Sequence, residues 1–407
     1  MLLLLPTTTY RTAAFVEAAR QLGVELTVAS EQASTLESVN PAGFLTLDFQ
    51  YPERAADLVR TFTQKHPING VVGVDDDTAV VAAAVAERLQ LKGNPVAAAL
   101  AARDKHQQRV RLAEAEVPIP RFELHMLAEV AADIARLIEY PCVLKPLRLS
   151  ASRGVMRVDD AKGFLAAHWR LRTILGEPDA AACGEPSWQF LVEEFIPGYE
   201  VALEGLVVNR RLHVLALFDK PDPLDGPFFE ETIYVTPSRV PAGLQSAIVD
   251  CVERAIRALG ITEGPIHAEV RYNDRGPWLI ELAARPIGGR CSAVLRFGDE
   301  GVSLEEIILR HALDLPIPSL QRERKAAGVM MIPIPGAGLL KDVRGVMEAK
   351  RVPLVEDVQI TAHPGERLIP FPQGSRYPGF IFARGETPAV VETALRDAHR
   401  RLEFILI

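Results

Sequence analysis

The chain is expected to fold as a multidomain protein of mixed α/β and α+β class. Three observations lead there. Its 407 residues exceed what one ordinary hydrophobic core holds, so about two to four domains are expected. Residues 1–92 alternate apolar runs of strand length with helical periodicity, the βαβ signature of a parallel sheet. Further on, strand signals follow one another across short turns, most clearly in residues 265–290.

Composition narrows the function classes. With 48% apolar and 24% charged residues, the chain is that of a soluble globular protein with no case for disorder. A net charge of −8 gives no reason to expect nucleic acid or an anionic membrane as partner. Cys142, Cys183, Cys251 and Cys291 are scattered, so neither a zinc site nor a disulfide framework is indicated. Residues 1–5 are apolar but lack a basic flank and a cleavage site, so they read as a buried strand rather than a signal peptide. No apolar run approaches the roughly 20 residues that span a membrane. A reducing cytoplasm is the expected compartment.

The elements follow in order. Residues 1–5 form a strand, and Phe15, Ala18, Ala19 and Leu22 give residues 11–22 a helical face that Gly23 stops. Residues 24–29 are a strand, 52–66 a helix, 68–74 a strand and 77–89 an alanine-rich helix. Asp75, Asp76 and Asp77 follow a strand end, where open α/β sheets place ligands. Asp77 is read as the cap of the next helix, and Asp75 and Asp76 are left open. No GxGxxG follows the first strand, so dinucleotide binding is not supported. A helix opening at Asn94-Pro95 carries Arg103-Asp104-Lys105 into residues 110–115.

Residues 140–147 are a strand ending in Lys145, and a lysine at the end of a buried strand needs a partner. Residues 148–155, with Ser150, Ser152, Arg153 and Gly154, suit a flap closing over phosphates. Residues 161–175 form a helix and 177–187 a loop. Residues 189–196 are a strand in which Glu193 and Glu194 point to opposite faces, so that one meets a ligand while the other is solvated. Strands at 201–208 and 212–218 follow, and then a long irregular loop over 219–237, of the kind that is usually functional. Residues 244–259 form a helix that Gly260 ends. Beyond a helix at 304–313, the prolines Pro316 and Pro318 mark a linker. From about residue 325 a small α/β module has strands at 328–333, 352–360 and 379–384 and a closing helix at 390–402.

The hairpin at 265–290 carries the chemistry. Ile266, Ala268, Val270 and Tyr272 form one apolar face, and Trp278, Ile280 and Leu282 the other, with a turn at Asn273, Asp274, Gly276 and Pro277. Matching those faces sets Tyr272 against Trp278, Val270 against Ile280 and Glu269 against Glu281. Two carboxylates roughly 5 Å apart repel each other, and a divalent cation between them removes the repulsion. Hard oxygen ligands on a rigid sheet suit Mg²⁺. The alternative is a solvated face carrying two glutamates. After the second strand, Arg285-Pro286-Ile287-Gly288-Gly289-Arg290 offers guanidinium groups and backbone N–H groups to an anion.

Asp104-Lys105, the YPCVLKP strand, the flap, VEEFIPGYE and the glutamates of AEVR and IELAARPIGG stand in an order that resembles the ATP-grasp superfamily. The resemblance covers essentially the whole chain. It implies a Rossmann-like preATP-grasp domain over residues 1–93 and an ATP-grasp domain over 94–318. The latter comprises a flexible lobe at about 118–196 and a metal-binding lobe at about 197–318. A small C-terminal α/β domain over 319–407 completes it. It implies ATP and one or two Mg²⁺, with Mn²⁺ as a substitute. It also implies a reaction, in which a carboxylate takes the γ-phosphoryl group and a nucleophile, usually an amine, displaces phosphate from the acyl phosphate.

Carried over by position, Lys105 and Lys145 resemble the phosphate-contacting lysines, and Ser150, Ser152, Arg153 and Gly154 the flap. Glu193 matches the position near the adenine amino group, with Glu194 beside it. The backbone of Phe195 and Ile196 matches the purine hinge, and Glu200 the ribose acid. Glu269 and Glu281 match the metal ligands. Arg285, with Gly288 and Gly289, matches the group at the transferred phosphoryl. The family's third metal ligand, an asparagine, is replaced by Ala283, and His267 lies opposite that position as a minor candidate substitute.

AARPIGG and FDKPDPLDGPFFEETIYVTPS look most like the amino-acid ligases that form dipeptides. That places Phe229, Glu230, Glu231 and Tyr234 near a substrate and gives Arg290 a substrate carboxylate. The expected partners are small molecules, a carboxylate and an amine; a homodimer is left open. Two alternatives remain. One is a purine-pathway ligase or transformylase, such as a glycinamide ribonucleotide synthetase. The other is a non-catalytic nucleotide-binding protein, for which Ala283 is the only argument. Biotin carboxylase is disfavoured because its flap is richer in glycine.

Overall fold

Strands Leu2–Leu4, Thr27–Ser30, Phe44–Thr46 and Val71–Gly73 form a parallel sheet in a computed structural model that describes residues 1–182 and 184–407. Leu2, Leu3 and Leu4 are fully buried, as an apolar run in a parallel sheet covered on both faces must be. Helices Thr12–Leu22, Pro52–Thr63 and Asp76–Leu89 pack around it. The last begins one residue earlier than expected. Asp75, not Asp77, is its N-cap, in a capping box with Thr78, and Asp77 pairs with Arg103. The tight turn needs Gly73, since a Cβ there would lie 2.4 Å from the carbonyl oxygen of Thr78.

The single helix expected from residue 94 is two, Val96–Arg103 and Lys105–Glu114. Asp104 between them is extended and caps the second through the N–H groups of His106 and Gln107. The break sets Lys105 at the first position of a new helix.

Strands Phe122–Met126, Gln189–Glu194, Cys142–Pro146 and Met156–Val158 form one antiparallel sheet in that order. The expected loop at 177–187 contains two short helical turns, Pro178–Ala181 and Glu185–Trp188, and Cys183 lies outside the described residues.

The largest sheet has eight strands, in the order Gly276–Ala283, Gly264–Asn273, Tyr199–Val208, Arg211–Lys220, Ile233–Thr236, Ala326–Met331, Gly379–Gly385 and Val355–Ile360. The long loop expected over 219–237 is therefore shorter: Asp219 and Lys220 end one strand and Ile233–Thr236 is another. Through the pairing of Ile233–Thr236 with Ala326–Met331, the C-terminal segment continues this sheet. A three-stranded sheet of Arg367–Leu368, Gly338–Arg344 and Glu403–Leu406 adds to it. Among the described residues no helix is long and apolar enough to cross a membrane.

The hairpin corrects one expectation. Glu269 does pair with Glu281, and His267 with Ala283, but nearer the turn Val270 pairs with Leu279, Arg271 with Trp278 and Tyr272 with Pro277. The expected pairs Tyr272–Trp278 and Val270–Ile280 do not form. A tight turn with Asn273 opposite Gly276 sets one register, and a bulge between Glu269 and Val270 shifts it by a residue. Bulges of this kind re-aim side chains next to functional sites. Here the Ile280 carbonyl accepts from the Arg109 guanidinium.

Candidate active site

A cavity of about 780 Å³ opens between the two antiparallel sheets, with the N-terminal domain and the C-terminal segment closing its ends. That volume falls within the range of small-molecule sites. Lys145 enters from its strand end and lies 2.6 Å from Glu193. Both are almost wholly buried. Arg109 grips the same carboxylate at 2.8 and 3.2 Å. Burial works against the Glu193 charge, but the two cations outweigh it and hold the carboxyl below its usual range. Burial likewise pulls Lys145 down, against the opposing pull of Glu193. Glu193 thus orients Lys145, and its oxygens are occupied rather than offered to an adenine.

Lys105 lies 3.0 Å from Glu281 and donates to the Leu149 carbonyl at the base of the flap. Ser150, Ala151 and Ser152 line the cavity, the latter two in the left-handed backbone region. Arg153 and Gly154 do not line it. Arg153 pairs with Glu177 and Asp179 and donates to the Gln373 carbonyl, while the Gly154 N–H donates to Pro372. At the hinge the Phe195 N–H is taken by Pro141 at 3.2 Å, whereas the Ile196 N–H has no intramolecular acceptor among the described residues. Glu194 lines the cavity from its rim and pairs with Arg121 and Arg275.

The opposite wall is acidic. Glu200, Glu231 and Glu269 each bring an oxygen within 4.8 Å of the others. Lys220 sits among them, 2.6, 2.8 and 3.1 Å from the three in that order. Glu200, expected at a ribose, therefore spends one oxygen on Lys220. Burial, helped by Glu269 and opposed by Lys220, pushes the Glu231 carboxyl up to about 7. The Tyr234 hydroxyl donates to Glu231 at 2.5 Å. Glu230 is turned away, accepts from the Ile334 N–H and does not line the cavity.

Facing Glu269 and Glu281, backed by this cluster, make an all-oxygen donor set that fits a hard divalent cation. Ala283 lines the cavity and contributes no ligand atom. His267 opposite it has Nε2 3.6 Å from Glu269 and Nδ1 without a hydrogen-bond partner, 3.8 Å from the fully buried Glu204. Burial lowers the His267 pKa and raises that of Glu204 well above the carboxylate range. Replacing Ala283 by Asn is expected to tighten apparent Mg²⁺ affinity severalfold. The check is a calorimetric Mg²⁺ titration of the parent and the variant, and an unchanged affinity would mean that the side chain points elsewhere.

Arg285 reaches the cavity and is anchored to Asp76 at 2.9 Å, so the N-terminal segment braces the loop at 285–290. Arg11 does the same through the carbonyls of Pro286 and Ile287. Gly288 and Gly289 line the cavity. Arg290 does not. Its guanidinium bonds Gln359, lies 5.8 and 5.7 Å from the Phe380 and Phe382 rings, and borders a separate cavity of about 490 Å³.

Sequence reasoning missed Lys220, Arg109 and Arg11. The argument that singles out Lys145, a lysine ending an apolar strand, applies equally to Lys220. Arg109 and Arg11 sit on surface-type helical patterns and carry no such signal.

Two antiparallel sheets enclose a cavity lined by Lys105, Lys145 and Arg285 on one side and by carboxylates on the other, with the paired acids of a hairpin between them. The chain carries the domains of ATP-grasp proteins: family profiles match an ATP-grasp N-terminal domain at residues 16–93, an ATP-grasp domain at 138–294 and an L-amino acid ligase C-terminal domain 2 at 330–406. An L-amino acid ligase from Bacillus licheniformis superposes with a TM-score of 0.82 at 27% identity, covering 100% of this chain and 98% of that one. Alanine–anticapsin ligase from Bacillus subtilis is 30% identical over 219 residues, 50% of this chain and 45% of that protein. Dapdiamide A synthase from Enterobacter agglomerans is 28% identical over 280 residues, 66% and 63% respectively. The chain spans less than two thirds of the length of these two relatives.

Proposed function

We propose that the protein is an ATP-dependent, ADP-forming ligase that joins two amino acids, or an amino acid and a similar small carboxylate, through an acyl phosphate. The observation that carries this reading is the convergence of Lys105, Lys145, Arg285 and the facing Glu269–Glu281 pair on one cavity. Similarity to an L-amino acid ligase over the whole chain supports the substrate class over a purine-pathway one.

Phosphoryl transfer needs positioning and charge neutralisation more than covalent help from the protein. Lys105 and Lys145 exchange their carboxylate partners for phosphate oxygens. Ser150 and Ser152 close over the same group. Glu269 and Glu281 would hold Mg²⁺, which when bound would neutralise the phosphate charge. Arg285 and the backbone at Gly288-Gly289 hold the γ-phosphoryl group while a carboxylate oxygen of the donor attacks it. The P–O bond to ADP breaks. The acceptor amine then attacks the acyl carbon, the carbon–oxygen bond to phosphate breaks, and the amine loses a proton. Glu231 and Tyr234 border the donor. Closure of the flap keeps water from the acyl phosphate.

A screen of amino-acid pairs by phosphate release, with mass spectrometry of products, tests this. A condensed product with stoichiometric ADP is expected. ATP hydrolysis indifferent to every pair would defeat the reading.

A further inference from the structure

The cavity's cations are not equally available. Of those that line it, Lys105, Lys145, Arg271 and Arg285 pair with carboxylates and Arg11 donates to backbone carbonyls, while Lys220 behind the wall is held by three carboxylates. Arg376 also lines the cavity, yet among the described residues it has no hydrogen-bond or ion-pair partner. It lies on the C-terminal segment whose Pro372 and Gln373 carbonyls anchor the flap. The next residue, Tyr377, lies against Glu231. Arg376, itself exposed at the cavity wall, is therefore the sequence neighbour of a side chain that meets Glu231.

A ligase that forms a dipeptide must bind an acceptor whose own carboxylate stays free. Nothing in the acidic wall can take that charge, and the phosphate-side cations are committed. We infer that Arg376 binds the carboxylate of the acceptor amino acid, forming a subsite that the C-terminal segment adds to the cavity. The inference rests on the amino-acid ligase reading. A guanidinium–carboxylate fork fixes orientation as well as charge. Because amine and carboxylate sit on one carbon in an α-amino acid, holding the carboxylate aims the amine.

The test compares the acceptor found by the pair screen with its carboxamide, in the parent, in Arg376→Ala and in Arg376→Gln. The parent should prefer the acid in kcat/KM by about tenfold to a hundredfold. In both variants that preference should collapse towards one, through a higher KM for the acid. Rapid-quench measurement of ADP with the donor alone reports separately on folding and on the first half-reaction. An undiminished preference for the acid in the variants overturns the subsite. So does loss of the donor-only burst in the variants, which moves Arg376 to the first step. Absence of any donor-dependent burst in the parent defeats the ligase reading itself, and so is told apart from failure of the subsite.

Discussion

Glu281→Gln is expected to lower turnover about a thousandfold at ordinary Mg²⁺. The substitution keeps the shape of the side chain facing Glu269 but removes one anionic ligand. Metal-borne charge neutralisation is worth several kcal/mol in the transition state, and each 1.36 kcal/mol is tenfold in rate. Glu281 is partly open to solvent and sits at the cavity wall, so the fold should survive. Lys105 loses its carboxylate partner in the variant, which leaves it free for phosphate; ATP binding should weaken far less than turnover. Steady-state phosphate release across a Mg²⁺ series, with ATP affinity measured in parallel, checks this. Parent-like turnover would remove Glu281 from the metal site.

Lys220→Met should destabilise the protein by about 3–5 kcal/mol, the usual cost of stripping one partner from a buried ionic cluster. Lys220 is 3% exposed in its side chain and is the shared cation of Glu200, Glu231 and Glu269. Removing it leaves three carboxylates within 4.8 Å with no ammonium between them. The same oxygens are a better site for a divalent cation once the lysine is gone. Calorimetry should therefore show a melting temperature lower by several degrees, with Mg²⁺ raising that of the variant more than that of the parent. An unshifted melting temperature would mean that the cluster relaxes into solvent at no cost.

Much of this was legible in the sequence, for identifiable reasons. Three strands of the parallel sheet are legible, most clearly the apolar runs at Leu2–Leu4 and Val71–Gly73, whereas Phe44–Thr46, three half-buried residues, carries no such signal. Glu269 and Glu281 could be paired from parity alone, although two neighbouring pairs expected on the same basis do not form. The carbonyl of the bulged Ile280 accepts from Arg109, which is distant in sequence, and no local pattern encodes that contact. Phe122–Met126 carries no apolar run because none of its residues is buried, and Met156–Val158 is only three residues long. Arg153 and Arg290 were placed in the cavity by position in a motif. Their side chains turn instead to Glu177 and Asp179, and to Gln359, all remote in sequence. Charge pairing of this kind is decided by tertiary packing, which explains why residue type was easier to read than residue direction.

In the proposed reaction a carboxylate oxygen of the donor attacks the γ-phosphate. Turnover with donor carboxylate labelled in both oxygens with ¹⁸O tests it most directly, by mass analysis of the released phosphate and the product. One labelled oxygen should appear in phosphate and one should remain in the new amide. Unlabelled phosphate, or release of AMP with pyrophosphate, would contradict the account.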